Sequence, residues 1–116
     1  MSEVEKEISF KNLDNLFLGN PELYIEFLST VINSFETTVK EVEIAYKIEN
    51  DFEKISSLRH SIMPTIEIFN LNSIKHHFKE ITSKNPNTTL NLDILKKQTT
   101  LAIKMIQVKI SNISNE

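Results

Sequence analysis

Apolar residues recur along this chain at steps of three and four, and the recurrence breaks at a few polar points. The longest regular stretch covers 21–48. Tyr24, Leu28, Val31, Phe35, Val39, Val42 and Tyr46 form one stripe, flanked by Phe27 and Ile32. Glu22, Glu26, Ser29, Asn33, Glu36, Lys40, Glu43 and Lys47 form the opposite one. That is the period of a helix and not of a strand. Asn20-Pro21-Glu22 suits its start: a capping amide, a proline at a position needing no N–H, and an acid at the positive helix end. Upstream, Phe10, Leu13, Leu16 and Phe17 predict a short helix that Gly19 stops and that packs as a lid on the rest. Downstream, Asn50-Asp51 supplies the next cap, with Glu53 in capping-box register to Asn50. Phe52, Ile55, Leu58, Ile62, Ile66 and Phe69 then gather on one face of a helix over 51–71. Asn70 to Asn72 marks another break, with Asn72 or Ser73 as cap. Ile74, His77, Phe78 and Ile81 follow at the spacing of a shorter helix. The composition of 83–89 predicts a loop. A last helix is expected over 92–110, with Ile94, Leu95, Leu101, Ala102, Met105, Ile106 and Val108 inward. Residues 1–9 are expected to fray and 111–116 to form a loose tail.

Four longer helices and a short one, joined by mostly short connections, predict an all-α fold. Short connections make neighbours antiparallel, so the expected architecture is an up-down four-helix bundle with a short extra N-terminal helix, in one domain over 1–116. One glycine and three prolines in 116 residues agree with long helices and few sharp turns. The absence of cysteine removes disulfides, thiolate chemistry and cysteine-based zinc sites. A net charge of −3 without a basic cluster argues against nucleic acid as a partner. No apolar run approaches the roughly 18 residues of a membrane helix, and residues 1–7 lack the apolar core of a signal peptide. A cytoplasmic monomer, or a soluble piece of something larger, is the expectation.

His60 points away from the apolar face of the 51–71 helix. Its neighbours there are Glu53, Ser56, Ser57, Pro64 and Glu67. A histidine so placed does not fill a core. The segment Leu58-Arg59-His60-Ser61-Ile62-Met63-Pro64-Thr65 resembles the active helix of the histidine-containing phosphotransfer (HPt) domains of two-component phosphorelays. The likeness extends over roughly 10–110. Leu16-Phe17-Leu18-Gly19-Asn20-Pro21-Glu22-Leu23 is similar to that family's entry into its first long helix. Phe27, Leu28 and Phe35 fall at its core positions, Asp51-Phe52 on the approach to the histidine, and Asn70-Leu71 at the end of that helix. The resemblance implies a four-helix bundle without turnover chemistry of its own. His60 would take a phosphoryl group from a receiver-domain aspartate and pass it to another. Its partners would be response-regulator receiver domains and a hybrid sensor kinase. Ser56, Ser57, Ser61, Met63, Pro64 and Glu67 would dock the receiver. The Mg²⁺ would sit on the partner, leaving no cofactor and no metal for this chain.

Imidazole suits such a role because its neutral form is nucleophilic and its ordinary pKa lies near the cellular pH. Two positions depart from the family pattern. Met63 stands where a lysine is usual, three residues after the histidine, and Pro64 where a glycine is usual. Arg59 and Lys54 are the nearest cations, and both lie off the line of His60. Met63, together with the negative charge of Glu67 one turn further along, motivates an alternative, a phosphotransfer-incompetent bundle that only binds receivers or serves as an adaptor. A third possibility is an unrelated helical protein in which His60 is incidental. His76 and His77 are adjacent and point about 100° apart, so they cannot chelate one metal simply. Glu80 is a weak helical partner for His76. His77 is expected half-buried beside Phe78 and Ile81. For Met63 the sequence leaves two placements open: exposed beside His60, or tucked inward by a bend at Pro64.

Overall fold

In a computed structural model of the chain, residues 2–82 and 88–115 are described. Their regular structure is entirely helical. Two short helices lead: α1, Glu3–Glu7, and α2, Lys11–Leu16. The long elements follow as α3, Pro21–Ile44; α4, Phe52–Ile68; α5, Asn72–Thr82; and α6, Thr88–Ser114. α3 runs directly into a π-helical turn at Ala45–Glu49. α3 packs on α4 and α6, and α5 packs on α4 and α6, so the contacts among these four helices form a closed cycle. The long axis of 47 Å fits α6, whose 27 residues at about 1.5 Å each span about 40 Å. Among the described residues no helix is long and apolar enough to cross a membrane.

The apolar stripes fill the interior. Leu28, Val31, Phe35 and Val42 of α3 are buried, as are Ile55, Ile62 and Ile66 of α4 with Phe69 just after it. Ile74, Phe78 and Ile81 of α5 and Leu92, Leu95, Ala102 and Ile106 of α6 meet them. Val108, expected inward, is 57% exposed. Thr99 is the polar residue that α6 carries into this core, its hydroxyl without a partner.

Both ends of the chain are more ordered than expected. Over 2–9, where fraying was expected, the chain is structured. Ser2 and Glu5 form a capping box at the start of α1, each backbone N–H donating to the other's side chain at 3.2 Å. Val4 is fully buried. Glu7 then reaches across to α5. The Ser73 backbone N–H donates to Glu7 Oε2 at 3.0 Å, and the Ser73 hydroxyl to Glu7 Oε1 at 2.7 Å. A carboxylate thus meets the positive, unpaired N–H end of α5 from 66 residues away. The Ser9 N–H donates to the Phe69 carbonyl and secures the same seam. At the other end, α6 continues to Ser114 and buries Ile113, so 111–114 is helix and not a loose tail.

Boundaries elsewhere shift by a few residues. Asp51, not Asn50, caps α4, its carboxylate accepting from the Lys54 N–H at 3.0 Å. Asn50 adopts φ 51° and closes the π-helical turn, a left-handed conformation that asparagine tolerates. Asn70 does the same after α4 with φ 60°. α6 begins at Thr88, inside the segment expected to be a loop, and 83–87 lies outside the described residues. In the lid helix Leu13 is buried, while Leu16 is 68% exposed.

Candidate functional site

α4 is what holds His60 outward. Asp51 fixes its first turn, and three isoleucines fix its rotation by entering the core. With Ile55 as the inward direction, successive residues step by about 100°. Arg59 then lies about 40° round, Met63 about 80°, Ser56 about 100°, Glu67 about 120° and His60 about 140°. His60 is accordingly exposed. Neither of its ring nitrogens has a hydrogen bond or ion pair among the described residues, so both are open to a partner. Pro64 stands inside the helix and lacks the N–H that would bond the His60 carbonyl. α4 nevertheless continues through it to Ile68, and Pro64 is exposed.

Four of the six expected docking residues line hollows beside the imidazole. Ser56, Ser57 and Ser61 line, with Glu53 and His60, a shallow hollow of about 500 Å³. Three of the four residues that share this hollow with His60 are serines with small side chains. Met63 takes neither extreme placement. It is half-buried and lines a smaller pocket of about 170 Å³ with Ser56, Arg59 and His60. Pro64 and Glu67 lie outside both hollows. Glu67 points toward α5, where Lys75 Nζ pairs with it at 3.2 Å.

Two features were not read from the sequence. The first is Arg59, which its helical angle alone sets apart from His60. Its long side chain brings it into the same pocket, with Nε buried and without a partner. The second is a groove of about 390 Å³ between α3 and α4. Thr30, Asn33, Ser34, Thr37 and Thr38 line it from α3, and Ser61, Ile62 and Thr65 from α4. Ser61 belongs to both this groove and the His60 hollow, so a hydroxyl-lined surface runs from His60 onto α3. On the sequence only Asn33 of this groove belongs to the polar stripe of 21–48, and Thr30, Ser34, Thr37 and Thr38 fall in neither stripe.

His76 is exposed and His77 half-buried, their rings 5.1 Å apart at 78°. His77 Nδ1 lies 2.8 Å from the Ser73 carbonyl, which can only accept, so Nδ1 carries the hydrogen of that bond. Among the described residues no three histidine, aspartate or glutamate side chains converge as a metal site would require.

A different polar cluster joins α2, the start of α3 and the end of α6. Tyr24 donates to Asp14 Oδ1 at 2.7 Å, and Lys109 Nζ lies 2.9 Å from the same oxygen. Lys109 also lies over the rings of Phe10 and Tyr24, at 5.4 and 5.8 Å from their centroids. Burial and then the Asp14 hydrogen bond push the Tyr24 phenol well above its ordinary pKa. Burial also pushes the Asp14 carboxyl up. The hydrogen bonds from Tyr24 and Lys109 outweigh that and hold it below the usual carboxylate value.

No family model, curated protein or solved structure matches this chain.

Proposed function

We propose that this chain is a histidine phosphotransfer protein, a cytoplasmic monomer that relays a phosphoryl group between receiver-domain aspartates. The observation that carries this reading is His60 itself: exposed, mounted midway along a rigid helix, free at both ring nitrogens, and flanked by small serines on an open surface. The resemblance of the segment around His60 to the HPt family adds to it. The closed cycle of contacts among α3, α4, α5 and α6 agrees with an antiparallel up-down four-helix bundle.

The chemistry needs little from this chain beyond the nucleophile. The lone pair of a neutral His60 ring nitrogen attacks the phosphorus of an aspartyl phosphate on the receiver. The P–N bond forms, the P–O bond to the carboxyl breaks, and aspartate leaves as the carboxylate. The imidazole keeps its other hydrogen and becomes a phosphoramidate with a cationic ring and a negatively charged phosphoryl group, which can return the group to a second aspartate by the reverse step. Mg²⁺ and the remaining machinery belong to the receiver. Ser56, Ser57, Ser61 and Met63 form the near docking surface, with Pro64 and Glu67 at its edge.

Incubation with phosphorylated receiver domains tests this. Acid-labile, base-stable label is expected on the wild-type chain and absent from His60→Gln. Label that persists in the variant removes His60 from the role. A receiver that binds without transferring label establishes the binding-only alternative, for which the uncharged Met63 is the motive.

A further inference from the structure

Beside His60 the structure holds a cation without an anion. Arg59, His60, Ser56 and Met63 line one pocket of about 170 Å³, and no carboxylate is among them. Arg59 is half-buried, its Nε shut off from water, and it makes no hydrogen bond or ion pair among the described residues. A guanidinium carries five donors and no acceptor. A donor withdrawn from water and left unpaired is costly, and an arginine in such a place ordinarily holds a carboxylate or phosphate in its fork. The charged neighbours on either side are already engaged. Glu67 pairs with Lys75 at 3.2 Å, and Lys54 with Glu49 at 2.9 Å. Glu53 lines the other hollow, across His60. The pocket is thus a small, carboxylate-free recess with a free guanidinium on its inner flank and an imidazole on its rim.

We infer that this pocket is the seat of the phosphoryl group once it is on His60, and that Arg59 is the residue that binds it. The inference rests on the phosphotransfer reading of His60 and deepens it. The phosphoryl group carries its charge on three oxygens that face away from the ring. The N–H groups of Arg59 donate to these oxygens, Ser56 Oγ–H supplies a further donor, and the neutral Met63 side chain walls the recess. The positive charge that Met63 does not provide comes instead from the residue preceding the histidine.

Phosphoramidate, a small-molecule donor, tests this on the intact chain without a receiver. His60 attacks its phosphorus, the P–N bond to the donor breaks, ammonia leaves, and a new P–N bond to the imidazole forms. Phosphorus NMR follows phosphohistidine, and nitrogen–proton NMR follows the Arg59 Nε–H. On phosphorylation the Arg59 Nε–H resonance is expected to move, because the terminal N–H groups of the same guanidinium take up the phosphoryl oxygens. Arg59→Gln is expected to form phosphohistidine about tenfold more slowly, a water-exposed version of the loss seen when an oxyanion donor is removed. Arg59→Lys should recover part of that rate, because it restores the charge without the fork. A role in packing alone would move neither the wild-type resonance nor the order of these rates. Phosphohistidine that forms in Arg59→Gln at the wild-type rate, with the Arg59 resonance unmoved in wild type, overturns this inference and leaves His60 as the phosphocarrier. A wild-type chain that takes no phosphoryl group from phosphoramidate or from phosphorylated receivers overturns both.

Discussion

Asp14, Tyr24 and Lys109 sit where α2, the start of α3 and the end of α6 meet, whereas His60, Ser56, Ser57 and Arg59 sit midway along α4. Both regions have polar side chains beside a hollow. The first hollow is about 420 Å³, and Tyr24 and Asp14 on its wall both have displaced pKa values. By titration alone it would be the stronger candidate for chemistry. Its groups, however, are spent on one another. The tyrosine donates to the aspartate, the lysine pairs with the same oxygen, and two rings lie under the lysine charge. Perturbed pKa values arise in structural ion-pair networks as readily as in active sites. Around His60 the reverse holds: an exposed imidazole and a half-buried guanidinium line one pocket on α4, and neither has an internal partner among the described residues. A satisfied cluster fastens elements together, and an unsatisfied one is available to something from outside.

Deleting one side chain from each region should separate the two most widely. Tyr24→Ala removes a buried ring stacked on Phe17 and the donor to Asp14. It should lower stability by about 3 kcal/mol, within the range for large aromatic truncations. His60→Ala removes an exposed side chain without partners and should change stability by no more than about 0.5 kcal/mol. Urea unfolding midpoints check both. A His60→Ala chain destabilised as severely as Tyr24→Ala would make the histidine a structural tie and remove the distinction.

A smaller loss is expected at the α1–α5 seam. Glu7→Ala takes away both acceptors of Ser73 and the negative charge at the start of α5. The cost should be about 1–2 kcal/mol, the scale of a lost helix cap. Thermal or urea unfolding measures it. A neutral result would mean that Val4 alone holds α1 in place and that the carboxylate contributes nothing.

The contacts at this seam also mark where the sequence stops being readable. The stripes on 21–48 and 51–71 announce their helices because many apolar residues repeat the same turn, and His60 is readable as exposed for the same reason. α1 has five residues and one buried apolar side chain, Val4, so it shows no periodicity. What orders it is a pairing with Ser73 across 66 positions, which no local pattern encodes. Asn50 and Asp51 are both good caps, and only the backbone decides that Asp51 caps while Asn50 turns left-handed. Arg59 escaped for a different reason. A helical angle describes where a side chain leaves the backbone, but an arginine reaches far enough to enter a neighbour's pocket.

The smallest expected effect separates the two regions by pH. With its carboxyl held below the usual value in the folded chain, Asp14 stabilises the fold at pH above its unfolded pKa, about 3.9. That contribution is lost as pH falls through the lower folded value, because the folded state then takes up the proton it had resisted. Tyr24→Phe removes one of the hydrogen bonds that hold the carboxyl down while keeping the buried ring. At neutral pH it should cost about 1 kcal/mol. Partial exposure of the Asp14 side chain screens its charge and keeps the figure modest. The difference between wild type and Tyr24→Phe should therefore shrink as pH falls from 5 toward 2. Glu43, held low by Lys96 and Lys47, loses its own contribution over the same acid range in both chains and cancels from the difference. Ser57→Ala, beside His60, serves as the contrast, because it touches no displaced carboxyl and its small difference from wild type should stay flat over that range. Urea midpoints for the three chains across the range decide the matter. A Tyr24→Phe difference that stays constant with pH would show that the phenol stabilises by packing alone and that the cluster is less closed on itself than its geometry indicates.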